Sequence, residues 1–198
     1  IVYPGASNNL NTNELSIFEH EIALADYLLL QYEVSLDVIN EAIEIAKKNN
    51  TLIILNPAPA KYVDDFSLSN AQIVTPNLEE AKKLYNIPNQ LKEPNEIGEY
   101  LKDKITNKVI ITLGSKGALL VEKNNYTYYN PFKVNAIDTT GAGDIFNASL
   151  IVGFDKYHDL DKAIKFAIAT SALSVTKPYV MDAIPSNDEI DLFLEDKK

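Results

Sequence analysis

Apolar positions divide the chain into short buried runs and longer stretches of helical spacing. Leu15 to Leu24 has helical spacing, and Asp26 to Gln31 is a short apolar run of strand length. Val38, Ile39, Ala42, Ile43 and Ala46 recur on one face, which predicts an amphipathic helix over Asp37 to Lys48. Thr51 to Leu55 follows as a buried strand ended by Asn56-Pro57-Ala58-Pro59. Ala71 to Thr75 is another strand, stopped by Pro76 and leading into a helix over Leu78 to Tyr85. Pro94 suits the first turn of a helix reaching Ile105. Lys108 to Thr112 reads as a strand, and Ala118 to Glu122 as the partner of Tyr126 to Tyr129 in a hairpin turning at Asn124-Asn125. Helices are expected over Ala142 to Phe154, Leu160 to Thr176 and Asp188 to Leu194.

This alternation predicts an α/β fold with a mostly parallel sheet sandwiched by helices. Ligands of such sheets bind beyond the carboxyl ends of the strands, so the loops after Leu55, Thr75, Leu113 and Ile137 are where chemistry is expected. No repeat, low-complexity stretch or linker divides the 198 residues, which are read as one domain over 1–198. The net charge of −10 is spread along the chain and argues against nucleic acid and anionic lipid as partners. It leaves a nucleotide open, because backbone amides can hold phosphate within an acidic protein. No apolar run reaches the roughly 20 residues of a membrane helix. The chain has no cysteine, hence neither a disulfide framework nor a thiolate zinc site, which fits a cytoplasmic protein. It opens at Ile1 without Met and enters directly into a strand-like Ile1-Val2-Tyr3, so a preceding segment is expected.

The chemistry concentrates in Asp138-Thr139-Thr140-Gly141-Ala142-Gly143-Asp144. Two glycines let the backbone approach a ligand, and the helix that follows turns its unpaired amides and positive dipole end toward the loop. Asp144 falls in the first helical turn, where a carboxylate can take a proton from a hydroxyl attacking a phosphoryl group. Read alone, the glycines are equally a tight strand-to-helix turn, and the acid equally a complement to the dipole. No Gly-Lys-Ser/Thr follows, and the six-residue dinucleotide fingerprint is absent.

Asp138 to Asn147 resembles the C-terminal motif of the ribokinase-like (PfkB) carbohydrate kinases. Leu55 to Ala60, Thr75 to Ala81 with its Asn-x-x-Glu, and Ile111 to Gly117 resemble other family segments in the same order. Pro4 to Asn8 and Gln31 to Glu33 fit as well, and the likeness is closer to the ribose branch than to the adenosine or phosphofructokinase branches. The resemblance covers the later two-thirds of a member. It implies a ribokinase-like three-layer fold whose N-terminal part, with a β-sheet lid supporting a homodimer of the full-length protein, lies before Ile1.

The resemblance implies a kinase transferring the γ-phosphoryl group of ATP to a small sugar, D-ribose first. Deoxyribose, another small sugar or a nucleoside are alternatives, as is a nucleotide-binding fragment without turnover. It makes Asp144 the general base and Gly141, Ala142 and Gly143 the anion hole. Thr112, Leu113, Gly114, Ser115, Lys116 and Gly117 become the ATP loop, joined by Asn77, and Glu33 a sugar contact. Asn77 and Glu80 become the pair organising magnesium (Mg2+), partly through water; read from the residues alone they form a helix cap. Asp138, Thr140, Ser174 and Lys177 become ligands of a monovalent cation, potassium (K+). The chain departs from the family at Tyr179, where a flexible glycine is usual, and at Ile168, where a histidine often lies near the adenine. His20 and His158 read as surface or helix residues, and Tyr126, Tyr128 and Tyr129 as hairpin packing.

Overall fold

The structure is a computed structural model describing residues 5–60 and 64–196. The strand-like reading of Ile1 to Tyr3 lies outside the described residues. Helices are α1 (Thr12–Leu15), α2 (Glu19–Leu24), α3 (Leu36–Asn49), α4 (Asp65–Asn70), α5 (Leu78–Tyr85), α6 (Pro94–Leu101), α7 (Ala142–Tyr157), α8 (Leu160–Ser174) and α9 (Asn187–Asp196). Strands are β1 (Tyr27–Gln31), β2 (Leu52–Asn56), β3 (Ile73–Val74), β4 (Lys108–Thr112), β5 (Ala118–Glu122) and β6 (Asn125–Tyr129). They form one sheet in the order β1-β2-β3-β4-β5-β6. The first four are parallel, with α3, α4 and then α5 and α6 in the crossovers. Leu113–Gly117 and Lys123–Asn124 are too short for parallel crossovers, so β5 and β6 run antiparallel to their neighbours. The Lys108 ammonium, at the start of β4, accordingly sits 2.8 Å from Glu122 at the end of β5. The sheet is therefore mixed, mostly parallel and flanked by helices.

Contacts group the chain into two compact units. The first holds the described residues up to Ile111 with Leu120–Tyr126; the second holds Thr112–Leu119 and the described residues from Thr127 on. In the first, α3 buries two rows of side chains. Ile39, Ile43 and Ala46 join Ile53, Leu55 and Val74, while Val38, Ala42 and Ile45 cover Leu15. The helix stops at Asn50, which adopts φ 62, with Lys47 and Lys48 complementing its negative end. In the second, Phe166 and Ala169 of α8 pack on Ile190 of α9, with Phe132 and Phe193 edge to face at 5.2 Å.

The elements depart from the sequence reading at their ends. Leu15 to Leu24 is broken by a 3-10 turn over Ser16–Phe18. The Asn11–Glu14 capping box starts α1 early, and the Ser16 hydroxyl bonds to the Asn13 carbonyl at 2.6 Å. Ile17, Phe18 and Leu24 stay exposed, so no continuous apolar stripe holds one helix together. The helix begun at Pro94 stops at Leu101, because the Lys102 carbonyl accepts the Asn124 amide of the hairpin at 3.0 Å. That hairpin turns at Lys123–Asn124, one residue earlier than expected, with Asn124 at φ 65. The third strand shrinks to Ile73–Val74. The sequence reading did not include α4, which Asp64 starts by accepting the Ser67 amide at 2.8 Å.

Candidate functional site

In the second unit the backbone imposes two glycines. Gly117 closes the loop after β4 at φ 87, and a Cβ there would stand 2.1 Å from the Tyr129 carbonyl oxygen. No side chain fits, so the loop can pass against β6 only through glycine. The Leu113 amide bonds to the Gly117 carbonyl at 2.9 Å, and the Tyr128 hydroxyl to the Lys116 carbonyl at 2.7 Å, fixing the loop Thr112–Gly117. Gly141 stands at φ 73 as the N-cap of α7, and a Cβ on it would lie 2.6 Å from Val180 Cγ1. Gly143, two residues on, faces open space.

Between these turns lies a cavity of about 520 Å³, within the range of small-molecule sites. Thr112, Gly114, Ser115 and Gly117 line one side; Thr139, Ala142, Gly143 and Phe146 line another. Pro131 to Val134 and Ala136, with Ile168, Ser171 and Ala172 of α8 and Val175 at its C-cap, supply a largely apolar remainder. The amides of the first turn of α7 have no intrahelical acceptors, and the helix dipole adds positive potential there. The Asp144 carboxylate is exposed in that turn. A proton acceptor thus sits beside a backbone suited to hold an anion.

The Asp138 carboxyl is held below the usual carboxylate range by the Thr140 amide, at 2.9 Å, by the Thr140 hydroxyl and by the Tyr179 amide. Tyr179 has a left-handed backbone, φ 65, a conformation that favours glycine. Beyond α8, the Lys177 amide bonds to the Ser174 carbonyl at 3.2 Å, and the Lys177 ammonium pairs with Glu189 at 3.2 Å.

In the first unit the strand ends carry a polar chain. Gln31 donates to Asn56 at 3.1 Å, and Asn56 to the Thr75 carbonyl at 2.7 Å. Glu33 follows β1 and is exposed. Asn77 caps α5: its side chain accepts the Glu80 amide at 2.9 Å, and Glu80 Oε2 accepts the Asn77 amide at 2.8 Å. Burial raises the Glu80 pKa, opposed by the Asn77 amide and the Lys83 charge. The cap reading of this pair therefore holds in the structure, and one Glu80 oxygen, Oε1, lies outside it.

The structure gathers Thr112, Gly114, Ser115, Gly117, Ala142 and Gly143 around one cavity. Leu113, Lys116, Asp138, Thr140, Asp144, Ser174 and Lys177 are not among its lining residues. Ile168 is. Sequence reasoning missed Pro131 to Val134, Ala136, Phe146, Ser171, Ala172 and Val175. The helical spacing of 168, 171, 172 and 175 puts small and apolar residues on one face, a signal present in the sequence. His20 and His158 are exposed, and the hairpin tyrosines pack: Tyr126 on Gly98, with the Tyr129 hydroxyl bonded to Asp161.

The family model described as pfkB family carbohydrate kinase matches residues 1–187. The chain belongs to that family. Within it, the chain is similar to the ribokinase of Haemophilus influenzae, 37% identical over 196 residues, covering 98% of this chain and 64% of the relative. The deoxyribokinase of Salmonella typhi is 30% identical over the same shares. The crystal structure of Thermotoga maritima ribokinase superposes with a TM-score of 0.82 at 32% identity, over 98% of this chain and 64% of that one. The chain thus spans about 64% of the length of the carbohydrate kinases it matches.

Proposed function

We propose that the chain is the nucleotide-binding and catalytic part of an ATP-dependent carbohydrate kinase of the cytoplasm, converting D-ribose to D-ribose 5-phosphate. The observation that carries this reading is the glycine turn that starts α7, whose Ala142 and Gly143 line the cavity, with Asp144 in the first turn of the helix. The apolar part of the cavity, with Phe132, Val134, Ile168 and Ala172, takes the base, and the phosphates point to Thr139–Gly143. Asp144 accepts the proton of the sugar hydroxyl as its oxygen bonds to the γ-phosphorus and the bond to ADP breaks. The first-turn amides of α7 neutralise the charge developing on the phosphoryl oxygens.

Asn77 and Glu80 would hold magnesium, in part through water; Glu80 Oε1, outside the cap, is the hard oxygen donor such an ion takes. Magnesium supplies charge neutralisation between phosphates. Asp138, ionised in the folded chain, and the carbonyls of Thr140, Ser174 and Lys177 offer oxygen donors suited to a potassium ion. Glu33 contacts the sugar.

The deoxyribokinase relative supports deoxyribose as the second acceptor. The experiment titrates the protein calorimetrically with ATP and magnesium, then with each sugar, and follows product by phosphorus NMR. ATP binding with ribose 5-phosphate formation agrees with the proposal. ATP binding without sugar binding or turnover marks a nucleotide-binding part alone, and no ATP binding refutes both.

A further inference from the structure

We infer that Val180 is a positioning residue for phosphate binding, clamping the Asp138–Gly143 turn from behind. The inference rests on the nucleotide reading above. The three atoms nearest a Cβ built on Gly141 all belong to Val180: Cγ1 at 2.6 Å, Cγ2 at 3.2 Å and Cβ at 3.5 Å. The valine side chain therefore covers the Gly141 α-carbon. Gly143 has nothing within 4 Å on its own side. One face of the turn is backed by valine and the other opens to the cavity. Valine suits the backing role because branching at Cβ leaves its side chain few rotamers.

The segment that leads into Val180 is tied to the start of the turn. The Ile137 and Asp138 amides bond to the Val175 carbonyl at 2.7 and 3.2 Å. The Tyr179 amide also helps to hold the Asp138 carboxyl below its ordinary range. Tyr179 is a non-glycine residue at φ 65 and is 72% exposed, so burial of the residue does not offset the backbone cost. Such a conformation persists when its surroundings over-determine it. Here the determinants are the Tyr179 amide and the seat of Val180 on Gly141. The Ala183 amide, 3.3 Å from the Val180 carbonyl, closes the strap on itself. A site held to within about 0.5 Å binds its ligand far better than a loose one, which is what a rigid backing provides.

The test compares Val180→Ala and the isosteric Val180→Thr with wild type in two measurements. Hydrogen exchange reads the amides of residues 138–143, with α9 as internal reference. Calorimetry reads ADP and, separately, adenosine, which has the base but no phosphate. Val180→Ala is expected to speed exchange in the turn, with α9 unchanged. It should also weaken ADP about ten-fold while adenosine stays within about two-fold, and Val180→Thr should restore both. Wild-type exchange in the Ala variant, an equal loss for ADP and adenosine, or a Thr variant that behaves like Ala would overturn the inference. Should wild type bind no ADP, the nucleotide reading fails on its own, and with it the role in phosphate binding; exchange still reports whether the clamp exists.

Discussion

Three glycines of the second unit should answer alanine substitution in three different ways. At Gly117 the new Cβ meets a backbone oxygen at 2.1 Å in a residue with φ 87. A left-handed non-glycine residue costs about 1–2 kcal/mol and overpacking about 1–3 kcal/mol, so Gly117→Ala should lose about 2–5 kcal/mol. At Gly141 the backbone cost is similar, but the obstacle is a Val180 methyl group at 2.6 Å rather than a backbone oxygen at 2.1 Å, so the loss should be about 1–3 kcal/mol. At Gly143 the backbone is helical and the space empty, so alanine should stabilise by about 0.5–1 kcal/mol. For a chain of this size each kcal/mol moves Tm by about 2–4 °C, which thermal unfolding by circular dichroism resolves. The new methyl at Gly143 stands where the cavity opens, so ADP affinity should fall while Tm rises. Equal destabilisation by all three, or a Gly143→Ala variant with undiminished ADP affinity, would refute the reasoning.

Other predictions follow from the same geometry. Tyr179→Gly keeps the amide that bonds Asp138 and relieves φ 65, so Tm should rise by about 2–4 °C for the ~1 kcal/mol released; a fall would show that the ring contributes packing. Burial raises the Glu80 pKa, so its contribution to stability is present below the ordinary carboxylate range and lost as pH rises through the raised value. Glu80→Gln keeps an acceptor for the cap and removes that penalty; Tm at neutral pH should hold or rise while magnesium-dependent ATP affinity falls. A Tm loss of several degrees would mean that the cap needs the charge. Asp138 is shifted the opposite way, so its contribution is present above the ordinary carboxylate range and lost as pH falls through the lowered value. The Thr140 amide should lose protection in that acid window, measured relative to its intrinsic exchange rate, and Asp138→Asn should abolish that change in protection.

The parallel half of the sheet was legible because β1, β2 and β4 are short, largely apolar runs and α3 repeats at helical spacing. Element ends were not, because they are decided by partners distant in sequence: the Asn124 amide ends α6 by taking the Lys102 carbonyl. The glycine turn and Asn77–Glu80 were legible through local spacing. The cavity wall from Pro131 to Ala136 was not, because an irregular apolar stretch has no period to read. Val180 was equally hidden: only the fold brings it onto Gly141, nearly forty positions earlier in the chain.

The central claim is that Asp144 is the base of a phosphoryl transfer to a sugar hydroxyl. Its most direct test is turnover of ATP and D-ribose by Asp144→Asn beside wild type, with ADP affinity measured on both. The account predicts that turnover falls by about 10²–10⁴-fold, the usual worth of a general base, while ADP affinity changes little. Turnover near the wild-type value would contradict it.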